Sequence, residues 1–390
     1  MAPWQEIFFA FFKLGLTSFG GPVAHLGYFR TEFVERRQWL DDRAYGEVVA
    51  MAQFLPGPSS SQVGMAIGLM RAGFAGLFAA WVGFTLPSVL LLVGFALGTA
   101  ALSASWMAGL THGLMIVAVA VVAQAVLQMA RTLAPDWPRG LLVLLAFAVL
   151  LAVPSIMVQM LVLLAGGALG ALFLTGKVDQ DHVPLVVPVS RRLAICLIAV
   201  FFLLLAALPF AVAMAGDRPL LALADIFYRA GALVFGGGHV VLPILEAELV
   251  PQGLIGRDLF LAGYGAAQAV PGPLFSFAGF VGWVSGQGGV VPALVCLVAM
   301  FGSSFLLVPG VMPFWALLAR WRYARAGLMG VNASVVGLLA AALVSPIATS
   351  ALLAPVDAVM ALGAFALLLW TRLPVWMIVA ACAALGAFWL

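Results

Sequence analysis

Long apolar stretches separated by short polar ones run through most of this chain. Runs near the roughly 20 residues needed to cross a bilayer recur at 74–102, 106–129, 156–175, 193–214, 290–308, 328–344 and 356–370. A shorter run lies at 140–153, and another closes the chain at 373–390. Each predicts a helix in or across a membrane. Segments of about ten residues that alternate apolar and polar, as an outer-membrane barrel requires, are absent. The expected class is an all-α polytopic membrane protein.

The apolar pattern is also broken in places where a plain bundle would not break it. In Phe54-Leu-Pro-Gly-Pro-Ser-Ser-Ser-Gln62, Pro56 and Pro58 stop a helix and Gly57 gives the turn its freedom. The flanking pieces, 45–54 and 59–70, are too short to span, so they read as a re-entrant hairpin with Pro-Gly-Pro at its tip. Ser59 is expected to cap the second piece, ahead of Ser60, Ser61 and Gln62. The same punctuation returns at Pro271-Gly272-Pro273, followed by Leu274, Phe275 and Ser276. Two further breaks are glycine runs, Gly20-Gly21 and Gly236-Gly237-Gly238. The first ends an apolar helix over 4–19 and opens a more polar one over 23–37. Irregular backbone at membrane depth is tolerated only where protein buries it or where it lines a polar cavity.

These breaks belong to an internal repeat. Phe19-Gly20-Gly21 matches Phe235-Gly236-Gly237, Pro56-Gly57-Pro58 matches Pro271-Gly272-Pro273, and Gly113-Leu-Met matches Gly327-Leu-Met, at a separation that drifts by single residues. In the same register Lys13 meets Arg229 and Glu32 meets Glu248. The chain therefore divides into a first repeat, 1–176, a polar linker with one crossing helix, 177–215, and a second repeat, 216–390. Carrying the crossings through places Arg30, Arg36, Arg37, Arg43, Arg71, Arg131, Arg139, Lys177, Arg191, Arg192, Arg320, Arg322, Arg325 and Arg372 on one face. Arg218 and Arg257 fall on the other. That bias marks the first face as cytoplasmic. It also makes the repeats inverted, an arrangement used by secondary transporters.

Composition narrows the function. Of 390 residues, 65% are hydrophobic and only 8% charged, against about a quarter charged in soluble domains. A net charge of +3, thinly spread, gives no footprint for nucleic acid. Glu6 and Lys13 interrupt the first apolar run, so it does not read as a cleavable signal. Cys196, Cys296 and Cys382 stand singly in apolar runs and read as packing thiols; no metal-ligand spacing is present. HExxH, GxSxG and paired redox cysteines are missing, so neither an enzyme nor a cofactor is expected.

The break chemistry points to an anion. Helix starts carry free N–H groups and partial positive charge, and breaks at Gly20, Gly21, Gly57, Gly236, Gly237, Gly238 and Gly272 would aim four of them inward. Lys13 and Arg229 sit about two turns before the glycine breaks, where a buried cation costs about 2.5–3.5 kcal/mol unless it is used. Snorkelling to the headgroups is the other reading of Lys13. Ser18, Ser59, Ser60, Ser61, Gln62 and Ser276 can donate hydrogen bonds to oxyanion oxygens. His25 and His239 could bind the anion or carry a coupled proton, or simply pack. Glu32, Glu47 and Glu248 are further proton candidates, with surface charge as their plainer role. Gln53 and Gln268 are placed to bridge the tips. Small residues at fourfold spacing (Gly64/Gly68, Gly94/Gly98, Gly166/Gly170, Gly282/Gly286) suit close helix packing and permit a homodimer.

Ser18-Phe-Gly-Gly-Pro-Val-Ala-His25, Gln53-Phe-Leu-Pro-Gly-Pro-Ser-Ser-Ser-Gln62, Val234-Phe-Gly-Gly-Gly-His-Val-Val-Leu-Pro243 and Gly263-Tyr-Gly-Ala-Ala-Gln-Ala-Val-Pro-Gly-Pro273 resemble the motifs of the chromate ion transporter family in its long, two-domain form. The resemblance covers nearly the whole chain. It implies chromate efflux across the bacterial inner membrane, driven by membrane potential or a proton gradient, and resistance to chromate. Sulfate, also a tetrahedral dianion, is the expected competitor. An uptake carrier for sulfate or a related oxyanion would use the same site in the other direction.

Overall fold

The computed structural model describes residues 2–19, 21–101, 104–174, 185, 187–216, 218–235, 238–286, 288–371 and 373–389. Gly20, Gly236, Gly237, Lys177, His182 and Arg372 lie outside the described residues, as does most of the expected polar linker. No strand occurs among those described.

In the first half, α1 (Pro3–Thr17) ends just before the glycine break, and α2 (Gly21–Arg30) restarts beyond it and continues into a π-helical turn, Thr31–Arg36. Next come α3 (Asp42–Phe54) and α4 (Ser59–Ala101), then α5 (Ala104–Leu133), α6 (Trp137–Ala152) and α7 (Ile156–Phe173). α4 is one helix only in outline. Ala72 and Gly73 leave helical geometry, Gly73 with φ of 61°. The piece from Ser59 to Arg71 is thus the second arm of a hairpin whose first arm is α3. Ser59 is the first helical residue rather than the cap. The carbonyl of Pro58 accepts the amide of Gln62 (2.9 Å), one residue earlier than the sequence suggested.

A lone helix, α8 (Arg191–Ala215), leads to the second half. There α9 (Pro219–Leu233), a 3₁₀ turn (Gly238–Val240), α10 (Val241–Leu249), α11 (Arg257–Ala269), a 3₁₀ turn (Leu274–Ser276), α12 (Phe277–Val284) and α13 (Val290–Val311) repeat the order. The short α14 (Trp315–Leu318), α15 (Arg322–Ala342), the short α16 (Thr349–Ala351), α17 (Pro355–Trp370) and α18 (Val375–Trp389) complete the chain. Among the described residues five spans are long and apolar enough to cross a membrane: Ser59–Gly98, Trp106–Leu133, Arg191–Ala215, Val290–Leu318 and Arg322–Ala351. α6, α7, α17 and α18 have 16, 18, 16 and 15 residues, short of the roughly 20 of a full crossing.

Packing follows the repeat in two ways. Within each half the first helix lies on the long one, α1 on the second part of α4 and α9 on α13. The approach is close because Gly15 and Gly231 carry no side chain. A Cβ on Gly15 would lie 2.8 Å from the Phe84 carbonyl, and one on Gly231 would lie 2.1 Å from that of Met300. The last helix pair of each half instead leaves its own repeat. α6 and α7 pack on α15, and α17 and α18 pack on α5. Gly166 and Gly330 face each other backbone to backbone, as do Gly109 and Gly386. Other small residues do not share this role. Gly94, Gly98 and Gly286 have nothing within 4 Å of a built Cβ. Cys196 is exposed on α8, whereas Cys296 and Cys382 are buried as packing thiols should be.

Candidate functional site

The two Pro-Gly-Pro tips meet the two glycine-break helices crosswise. Gly57 donates its amide to the carbonyl of Val234 (2.7 Å), where α9 ends. Gly272 donates to the carbonyl of Ser18 (2.9 Å), where α1 ends. Both glycines need their missing side chain, since Gly57 has φ of 117° and Gly272 of 99°. Each tip also reaches the partner repeat's long helix. Ser88 donates to the carbonyl of Pro271 (2.8 Å), and Ser304 accepts from Gln62 Nε2 (3.1 Å).

A buried histidine joins the two tips. His25 Nε2 donates to the Ser18 carbonyl (3.2 Å), which can only accept, so in the neutral ring Nδ1 accepts from the Ser60 hydroxyl (3.3 Å). The ring stands edge-on to Phe84. Ser18 and Ser60 are buried with it.

Beside the second tip lies a polar cavity of about 100 Å³. Its walls come from the start of α2 (Gly21, Pro22), from α5 (Gln124, Gln128), from the 3₁₀ turn (His239) and from the end of α11 and the tip beyond it (Gln268, Gly272). Val121, Ala125, Ala267, Val270, Leu274 and Val375 fill the remainder. His239 Nδ1 shares a hydrogen bond with the Tyr264 hydroxyl (2.8 Å), which holds the ring in place. Gln124 donates to the Leu368 carbonyl (3.1 Å). Gln268 Nε2 is buried beside the Tyr264 hydroxyl, with no well-formed hydrogen bond among the described residues. Among the described residues no Lys, Arg, Asp or Glu lines the space. The volume holds a few waters or one small polyatomic ion. It is well below the 300 Å³ and more that drug-sized molecules occupy.

Other candidates sit elsewhere. Lys13 is exposed on α1, with its charge in reach of Glu32. Glu32 is buried and receives Arg36 (2.9 Å) and Arg37 (2.7 Å). Arg229 is enclosed by two carboxylates: Asp225 at 2.8 Å and Glu248, which also takes Nη2 at 3.0 Å. Its charge is balanced inside the protein instead of facing the cavity. Glu47 accepts from the indole of Trp315 (2.7 Å). Ser276 donates to the carbonyl of Pro273 within its own turn. Gly238 is buried against Leu274 and Phe275. Gln53 is exposed, unlike its counterpart Gln268. Sequence reasoning passed over Gln124 and Gln128. The available signal was two amides one helical turn apart in an otherwise apolar run. It also left His112 unassigned; that ring bonds Asp357 (3.1 Å) and ties α5 to α17.

The family described as chromate transporter matches residues 5–171 and again 221–387. A probable chromate transport protein of Synechococcus elongatus is 29% identical over 86% of this chain and 82% of its own length. A chromate transport protein of Cupriavidus metallidurans is 28% identical over 98% of this chain and 92% of its own. One from Pseudomonas aeruginosa is 28% identical, with 87% and 80% covered. No solved structure matches the chain.

Proposed function

We propose that this chain, which belongs to the chromate transporter family, binds its tetrahedral dianion in the polar cavity beside the second Pro-Gly-Pro tip and exports it from the cytoplasm. The observation carrying this reading is the cavity. It is sized for one small ion, walled by Gly21, Gln124, Gln128, His239, Gln268 and Gly272, and supplied with a buried amide nitrogen, that of Gln268, which has no well-formed hydrogen bond and only the Tyr264 hydroxyl near it. Helix starts after Gly21 and Gly238 add backbone donors and positive dipole ends. Amides and dipoles bind without bringing fixed charge into the membrane.

The repeats are read as inverted. Support comes from their reciprocal contacts, Gly57 with Val234 and Gly272 with Ser18, and from the one-sided basic residues. Rocking of one repeat against the other about the His25 junction would open the cavity to alternate faces. The driving force is the membrane potential or a proton gradient. Two carboxylates on one guanidinium leave a negative charge in excess, so Glu248 with Asp225 is a suitable proton carrier, and His239 is the second. The consequence in the cell is chromate resistance, at the cytoplasmic membrane of a bacterium.

The test is uptake and release of radiolabelled chromate by purified protein in liposomes under imposed voltage and pH gradients, with sulfate as competitor. Gln268→Leu and Gln128→Leu should each weaken anion binding about tenfold or more, the worth of a hydrogen bond to a charged group, and leave the melting temperature near wild type. Full binding in both variants would remove the cavity from the mechanism. Sulfate carried inward with chromate ignored would make the chain an uptake carrier using the same site.

A further inference from the structure

Behind the cavity wall stands a residue the oxyanion reading does not use, Tyr264. It lies on α11 between Gly263 and Gly265. A Cβ on Gly263 would lie 2.0 Å from the Phe280 ring, and one on Gly265 would lie 2.5 Å from the Leu114 carbonyl. The two glycines let α11 close tightly on α12 and α5, on either side of the tyrosine. The Tyr264 ring is edge-on to Phe277 and has no exposed surface. It forms no part of the cavity wall. A ring boxed in this way keeps its hydroxyl at one place, and that place is 2.8 Å from His239 Nδ1.

Which partner gives the hydrogen decides what an anion meets. In a neutral imidazole one nitrogen carries a hydrogen and the other accepts one. Gln268 presents Nε2, a donor, beside the Tyr264 oxygen. An N–H on that side leaves the hydroxyl's own hydrogen for the other neighbour. Among the described residues, His239 Nδ1 is the only acceptor bonded to the hydroxyl. A hydrogen on Nδ1 would strand a buried O–H, with the desolvation cost such a group carries. The hydroxyl therefore donates, Nδ1 accepts, and the ring hydrogen sits on Nε2. With Nδ1 taken, Nε2 is the nitrogen left for the cavity that His239 lines. It meets an oxyanion as a donor rather than as a repelling lone pair. The first repeat lacks this device. In the register that pairs Gln53 with Gln268, Val49 stands where Tyr264 stands, and His25 has both ring nitrogens bonded within the protein.

We propose that Tyr264 is a positioning residue for anion binding: its hydroxyl fixes His239 as the Nε2–H tautomer, so that the ring presents a hydrogen-bond donor to the oxyanion in the cavity. The part played in binding rests on the oxyanion reading; the tautomer does not. A neutral donor also suits a wall without basic side chains. The proton that His239 would carry enters at Nδ1, so the hydroxyl must turn from donor to acceptor before the ring is charged.

The experiment is nitrogen NMR of the purified full-length protein, isotopically labelled on its histidine nitrogens, without oxyanion and at a pH where the ring is neutral. The His239 signals are identified by their loss in His239→Leu, and sulfate titration accompanies the spectra. Wild type should show Nε2 protonated and Nδ1 bare. Tyr264→Phe keeps the ring packing and should give a mixture of tautomers, with sulfate held about tenfold more weakly. In the His239→Leu background the same step should change sulfate affinity by less than threefold, whereas a merely structural loss would persist there. Gln268→Leu should lose sulfate and keep the wild-type tautomer, which separates failure of the cavity from failure of the positioning. A wild-type ring with its hydrogen on Nδ1 overturns the proposal, and that measurement needs no variant to fold. Tyr264→Phe with the wild-type tautomer overturns it too, whatever its sulfate affinity. A shifted tautomer with unchanged sulfate affinity overturns the part played in binding.

Discussion

Replacing Arg229 by methionine separates a structural cation from a substrate ligand. The guanidinium donates from Nε to both oxygens of Asp225 (3.0 Å each), from Nη2 to Asp225 (2.8 Å) and to Glu248 (3.0 Å), and from Nη1 to Glu248 (2.5 Å). Side-chain exposure is 6% for Asp225, 9% for Glu248 and 24% for Arg229. Arg229→Met therefore leaves two nearly buried carboxylates facing each other without a counter-charge. Removing one member of a buried pair costs about 3–5 kcal/mol. Water reaching the partly open arginine side brings the expectation to the low end, about 3 kcal/mol, or roughly a hundredfold in the folded ratio. Adding Glu248→Gln and Asp225→Asn removes the stranded charges and should recover most of the loss. The assay is thermal unfolding in detergent for the single and triple variants, beside sulfate titration at a temperature where all are folded. Sulfate affinity should stay within threefold of wild type, because Arg229 does not line the cavity. A single variant that melts like wild type but has lost the anion would refute this reasoning and make the guanidinium a ligand.

Two further substitutions test the packing. Gly272→Ala forces a left-handed backbone on a side chain and places its Cβ 2.1 Å from Ser88 Oγ. It should abolish transport, and adding Ser88→Ala should relieve the clash but not the roughly 1–2 kcal/mol of backbone strain, as read by melting and flux. Gly330→Ala would put a Cβ 2.0 Å from the Gly166 carbonyl; overpacking of this kind costs about 1–3 kcal/mol, so a lower melting temperature with unchanged sulfate affinity is the expected result.

Much of the fold was legible because its signals are local. Apolar runs gave the helices to within a few residues, and Pro56, Pro58, Pro271 and Pro273 marked the tips because proline stops a helix wherever it stands. What the sequence hid is what depends on distant partners. Arg229 looked like an isolated cation: Asp225, four residues earlier on the same helix, was a readable partner that went unused, whereas Glu248 on the next helix gives no sign of converging on it. The cavity drew on Gln124 and Gln128 of one repeat and His239 and Gln268 of the other, and such meetings across repeats carry no local periodicity. Ser59 was misread by one residue because a Pro carbonyl accepts as well as the expected cap does. Gly94 and Gly98 show the same spacing as Gly166 and Gly170, yet only the latter pair faces another helix.

The interlacing of the final helices has a consequence for biogenesis. α6 and α7 leave the ribosome long before α15, the helix whose glycines accept them, and α5 waits longer still for α17 and α18. Each half therefore reaches its full set of helix contacts only once the other has been made. Until then the faces of α5, α6 and α7 that those later helices cover stay uncovered, and a chain stopped short of α17 would keep the α5 seam open.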